Sequence, residues 1–209
     1  MIFATTNKDK VSELKKILGL SDDEALTLKD IGFDTEVDEN GETFADNALI
    51  KAEAVASFIL KEKAEFAGHI ILADDSGLCI DFYDGAPGIH SHRWLGGRTY
   101  RQAMEDIILE MKDVPDEKRG ARFACSIAAL KYDSLSGKWE KLSVTENCEG
   151  IIGRKIEGEN GFGYDPFFFV PEYGCTTAVM SPEQKNEISH RGKAARSMCR
   201  MMKEAGWLN

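Results

Sequence analysis

Apolar positions along this chain recur with two different periods, and the places where the period changes mark out strands and helices. The run from Met1 closes on hydroxyls by Thr6, a pattern that predicts a short strand. Val11, Leu14, Ile17 and Leu18 then fall at helical spacing, with Asn7 placed to cap the helix. A second helix is predicted over about 43–65, with Phe44, Ala48, Ala52, Val55, Ala56, Ile59 and Leu60 on its buried side. It feeds the apolar run 69–73, which carries two adjacent acids, Asp74 and Asp75, into an Asp-Asp-Ser-Gly segment expected to turn at the strand's carboxyl end. Because side chains alternate across a strand, only one of the two acids is expected to face a site. Leu78 to Tyr83 reads as a further strand, and Asp84-Gly-Ala-Pro-Gly88 as a tight connection.

Helix resumes over 100–111, and the segments 119–132 and 138–152 flank Asp133-Ser-Leu-Ser-Gly137, which predicts a long antiparallel hairpin. Ser181-Pro182-Glu183-Gln184 has the form of a capping box with proline at the first helical position, and Ser189 is placed to cap a last helix running to about Ala205. The expected fold is α/β, a mixed, elongated central sheet flanked by helices, in two lobes with a cleft between them.

Composition fixes the setting. A chain of 209 residues with 43% hydrophobic content buries a full core, and 1–209 reads as a single domain. A formal charge of −10 argues against nucleic acid as a partner, because duplex binding draws on clustered Lys and Arg. Five cysteines without Cys-x-x-Cys spacing suit reduced core thiols and a cytoplasmic location. No apolar stretch approaches the ~20 residues of a membrane span, and the start turns polar after a few residues, sooner than is expected of a signal peptide.

Four segments carry candidate chemistry. Thr5, Thr6, Asn7, Lys8, Asp9 and Lys10 join a strand end to a helix N-terminus, where backbone N–H groups favour an anion; a capped surface helix is the alternative. The acidic stretch 36–42 holds Asp38 and Glu39, either of which beside Asp75 would suffice for Mg²⁺ with substrate phosphate, or else forms a solvated loop. Phe162, Gly163, Tyr164 and Asp165 lie in a glycine-rich loop whose rings offer stacking faces, whereas Phe167 to Phe169 read as core. Lys185, His190 and Arg191 form a donor-rich cluster suited to a purine O6 acceptor, or a basic helix start.

Taken in order, Ala4 to Lys10, Thr43-Phe-Ala-Asp-Asn-Ala48 with Lys51, Ala73 to Leu78, Gly85-Ala-Pro-Gly88, Phe162 to Pro166 and Ser189-His-Arg191 resemble the inosine triphosphate pyrophosphatase family, the XTP/dITP diphosphatases, over nearly the whole chain. The resemblance implies hydrolysis of non-standard purine nucleoside triphosphates (ITP, dITP, XTP) to monophosphate and pyrophosphate by a Mg²⁺-dependent homodimer. It makes Asp75 the catalytic acceptor and magnesium ligand, with Asp74 supporting, Ser76 at the substrate, and Lys51 and Thr5 to Lys10 at the phosphates. Phe162 to Asp165, Lys185, His190 and Arg191 would recognise the base. Three positions depart from the family pattern: Thr6 replaces a glycine, Asp38 stands where a glutamate is usual with Glu39 next to it, and Asp46 replaces a glutamate. The rival reading is a non-catalytic purine nucleotide sensor, against which the retained Asp74 and Asp75 count.

Overall fold

The computed structural model describes residues 1–208. Strands β1 (Ile2–Phe3), β2 (Leu26–Thr27), β3 (Ile71–Ile80), β4 (Gly120–Asp133), β5 (Lys138–Ile152), β6 (Phe168–Val170) and β7 (Cys175–Thr176) form one sheet in the order β2-β1-β3-β4-β5-β6-β7. β1 runs parallel to β2 and β3, while β6 is antiparallel to β5 and β7, so the sheet is mixed as the hairpin pattern predicts. Helices α1 (Lys8–Leu18), α2 (Phe44–Glu62), α3 (Tyr100–Glu110), α4 (Pro182–Ile188) and α5 (His190–Glu204) fall close to their sequence-predicted positions. Asn7 caps α1, and Ser181 and Gln184 form the expected capping box on α4.

Two compact units share the chain. The first takes residues 1–75, 125–146 and the chain from Arg191 on; the second takes 76–124 and 147–190. The first has two apolar clusters. One packs α2 (Ala48, Ala52, Val55, Ile59) on Ile2, Ile71 and Ala73, and the other packs Leu14 of α1 and Ala194 and Met198 of α5 on Phe3, Leu72 and Cys125. The second unit has one cluster, in which Met104 and Ile107 of α3 meet Leu78, Ile80, Phe123, Phe167 and Phe168.

Two corrections bear on the site. The segment 74–77 is not a turn: β3 continues from Ile71 to Ile80, and the expected strand 78–83 is its second half followed by a 3₁₀ turn. Local turn preference loses because β3 has a neighbouring strand on each side and its acids find cationic or amide partners, which removes the penalty of burying them. The chain bends instead at Asp84 and Gly85, both at positive φ. On α2, Leu60 faces solvent while Asn47, polar and unassigned by the apolar pattern, is buried.

Asp46 also finds its role here. It is the third residue of α2, and its carboxylate accepts from the Thr43 N–H at 3.0 Å while the Thr43 hydroxyl accepts from the Asp46 N–H at 3.1 Å. The shorter acid still closes the capping box.

Candidate active site

Alternation along β3 decides where the two acids go. Leu72 packs toward α1 and α5, so Asp74, two residues on, points the same way; Ile71 and Ala73 pack under α2, and Asp75 follows them. The adjacent carboxylates therefore enter two different environments, as the alternation argument anticipates.

Asp74 is buried between cations. Lys10 Nζ lies 2.9 Å from its Oδ2 and Arg191 Nε 3.4 Å from the same oxygen, while Arg191 Nη1 donates to Glu13 at 2.5 Å. Burial pushes the Asp74 carboxyl up, but Lys10, Arg191 and Lys51 outweigh it and hold the group well below the usual carboxylate range. Asp74 is therefore an anion at neutral pH. The guanidinium of Arg191, 2% exposed, is likewise committed: burial disfavours its charge, and Asp74 leads the groups that restore it. Arg191, expected at the purine, is in this structure a brace joining α1, α5 and β3. Glu13, unassigned by sequence reasoning, completes it; its signal was a position three residues after Lys10, on the same face of α1.

Asp75 has a looser environment. Asn47 Nδ2 donates to its Oδ2 at 3.2 Å and Lys51 Nζ stands 3.6 Å from its Oδ1. Asn47 and Lys51 are one turn apart on α2, so one helix face delivers both. Burial is the largest influence on Asp75 and raises its pKa, opposed by Lys51 and Lys10 and reinforced by Glu39. Lys51 also bonds Glu39 at 2.9 Å and is held protonated, burial notwithstanding, by Asp75 and Glu39.

Of the two candidate acids in the 36–42 stretch, Glu39 reaches this cluster through Lys51, while the side chain of Asp38 is on an exposed stretch of chain. The loop is pinned by Asn47, whose Oδ1 accepts from the Gly41 N–H at 2.9 Å; a Cβ on Gly41 would sit 2.5 Å from Asp46 Cβ and 2.8 Å from that oxygen. Asn47 is thus a second missed residue, and it links the acidic loop to Asp75.

At the β1–α1 junction, Thr5 Oγ1 accepts from the Asn7 N–H at 3.2 Å, and Asn7 Oδ1 takes the N–H groups of Asp9 and Lys10. Two first-turn donors expected for an anion are therefore engaged by the cap. Thr6, Lys8 and Asp9 are exposed, and Ser76 is half-buried in mid-β3. Thr6 in place of glycine meets no backbone strain, since Asp84 is the sole non-glycine residue at positive φ among the described residues.

In the second unit, Asp165 organises the glycine-rich loop. It accepts from the Phe162 N–H at 2.8 Å, the Thr177 hydroxyl at 2.8 Å and Lys185 Nζ at 2.7 Å, and Lys185 sits 5.1 Å over the Phe162 ring. Tyr164, read from sequence as a stacking face, is a core side chain: it is stacked on Phe167, edge-on to Tyr100, and donates to the Ser91 carbonyl at 3.3 Å. Among the loop's rings, Phe162 stays half-buried and Tyr164 does not. His190 stacks on Phe123 with centroids 4.8 Å apart.

Gly161 sits at φ +75°, and a Cβ there would lie 2.2 Å from Asp165 Oδ2 and 3.0 Å from Lys185 Nζ. Gly161→Ala is expected to cost more than about 1 kcal/mol in urea unfolding, from the left-handed backbone and the clash together. A loss under a few tenths would mean that the loop is not held by Asp165.

These features define an α/β protein with two oppositely facing mid-strand acids and a lysine-braced aromatic loop. The chain belongs to the Ham1 family, whose sequence profile matches residues 1–201. It is 43% identical over 196 residues to a protein of Desulforamulus reducens named dITP/XTP pyrophosphatase, covering 93% of this chain and 90% of that one. A Bacillus subtilis protein of the same name is 40% identical over 202 residues, 96% of each. Among solved structures, a HAM1 protein from Coxiella burnetii superposes with a TM-score of 0.79 at 32% identity, covering 97% of this chain and 98% of that one. The Ham1 protein of Staphylococcus aureus gives 0.79 at 31%, covering 98% of each. The family resemblance carried by the ordered segments is borne out.

Proposed function

We propose that this protein hydrolyses non-standard purine nucleoside triphosphates, ITP, dITP and XTP, to the monophosphate and pyrophosphate. The observation that carries the reading is Asp75: a buried carboxylate at mid-strand, held by Asn47 and set beside Lys51, which Glu39 flanks. The names of the relatives at 40–43% identity supply the substrate class.

In this reading water attacks the α-phosphorus and pyrophosphate leaves. Asp75 orients the water, its carboxylate held in place by Asn47 and set beside Lys51. Lys51 offsets charge developing on the phosphate oxygens. Asp75 and Glu39 supply two carboxylates, a donor set suited to magnesium when substrate phosphates and water complete its oxygen shell. Mg²⁺ bound there would neutralise phosphate charge and polarise the reacting centre.

Lys185 supplies a donor for a purine O6, fixed in direction by Asp165, and Phe162 supplies the stacking face. Adenine presents an amino group at that position and meets a donor unfavourably, so ATP is discriminated against. We further place the protein in the cytoplasm as a homodimer; the five free cysteines accord with a reducing compartment. No described helix is long and apolar enough to cross a membrane.

Turnover of dITP, XTP, dGTP and dATP with Mg²⁺, scoring pyrophosphate and inorganic phosphate separately, tests the proposal. Pyrophosphate from dITP and XTP, with dATP at least about 100-fold slower, is expected. Tight dITP binding without turnover would make the protein a nucleotide sensor; inorganic phosphate as first product would place the cut at the wrong bond.

A further inference from the structure

The two faces of α1 have different neighbours. Lys10, Glu13 and Leu14 serve the Asp74–Arg191 brace and the core, whereas Lys8, Val11, Ser12, Lys15 and Lys16 line a groove of about 1150 Å³ in the first unit. Val11, Leu20, Leu28 and Phe33 give the groove an apolar lining, and neither Asp74, Asp75 nor Lys51 contributes to it. Lysines dominate its charge. Lys15 is paired with Asp22, but Lys8, Lys16 and Lys29 form no ion pair among the described residues, and Asp34 is the one lining acid not already paired with a lysine.

In a chain of net charge −10, ammonium groups set around a low-dielectric apolar surface create a local positive potential where the molecule as a whole repels anions. The apolar lining adds a second requirement, because inorganic phosphate or pyrophosphate would leave it wet, while a hydrocarbon body would be stabilised by covering it. The volume is ample beside the ~300–1,000 Å³ of typical small-molecule sites.

We propose that this groove binds an organic anion with an apolar or planar body, its acidic group meeting Lys16 and Lys29 and its body lying on Val11, Leu20 and Leu28. Thr5 and Thr6 also line the groove whereas Asp74, Asp75 and Lys51 do not, so an occupant would touch the β1–α1 junction without entering the acid cluster.

The probe is 1-anilinonaphthalene-8-sulfonate, a planar hydrocarbon with one sulfonate, titrated into the full-length protein and followed by fluorescence and by ¹³C-methyl NMR. Saturable one-to-one binding is expected, with shifts centred on the methyls of Val11, Leu20 and Leu28. Lys16→Glu/Lys29→Glu should weaken it by roughly ten-fold, equivalent to about 1.4 kcal/mol, with dITP turnover and thermal stability unchanged. Methyl shifts confined to other regions, no saturable binding, or equal affinity in the double variant would each overturn the proposal.

Discussion

Asp75→Asn is expected to lower dITP turnover by about 10²–10⁴-fold while leaving the fold intact, as measured by pyrophosphate release and urea unfolding on the same preparation. The amide is isosteric and can still meet Asn47, but it cannot accept a proton or contribute negative charge. Stability should not fall, and this is the discriminating part. Burial raises the Asp75 pKa, so its ionised form is a cost to the folded state above that pKa, incompletely offset by Lys51. Neutralising the side chain relieves that cost, the behaviour of a group retained for chemistry rather than for structure. Full activity in Asp75→Asn would remove the residue from the mechanism, and a large loss of stability would assign it to the fold instead.

Asp74→Asn should behave in the opposite way, with a loss of about 3–5 kcal/mol in unfolding free energy, because Lys10 and the buried Arg191 guanidinium then face an uncharged amide. The sign of its pH dependence follows from the depressed native pKa. Since the unfolded carboxyl titrates near ~3.9, the stabilisation is fully present above about pH 5 and is lost as pH falls through the unfolded and then the native pKa. The unfolding free energy of the wild type should therefore drop on acidification below about pH 5, with a shallower drop in Asp74→Asn. Parallel curves would mean that Arg191 and Lys10 do not depend on Asp74. Adjacent in sequence and chemically identical, the two aspartates are thus expected to separate stability from catalysis.

Much of the helical framework was legible because capping chemistry is local. Asn7, Thr43 and Ser181 each satisfy donors within three residues, so their positions mark helix starts without knowledge of the rest of the chain. The hairpin of β4 and β5 was legible for a similar reason, a turn sequence, Asp133 to Gly137, between two long segments. The segment 74–77 was misread because its turn preference is also local, while the forces that straighten it are not: neighbouring strands, and partners on α1, α2 and α5. Tyr164 was misread likewise, since a ring in a glycine-rich loop looks available until Tyr100, Phe167 and the Ser91 carbonyl are seen around it.

The sequence by itself determined the α/β class, the family, and through strand alternation the separation of Asp74 from Asp75. These rest on interactions between near neighbours and on a two-residue period that needs no tertiary information. Only the tertiary structure decided what each acid meets. Asp74 is closed by Lys10 and, 117 residues later, by Arg191; Asp75 is set beside Asn47, Lys51 and, through Lys51, Glu39 rather than Asp38. Whether a buried carboxylate is a fixed anion or a poised base depends on the balance of desolvation and nearby charge, and that balance exists only once distant segments have packed against one strand.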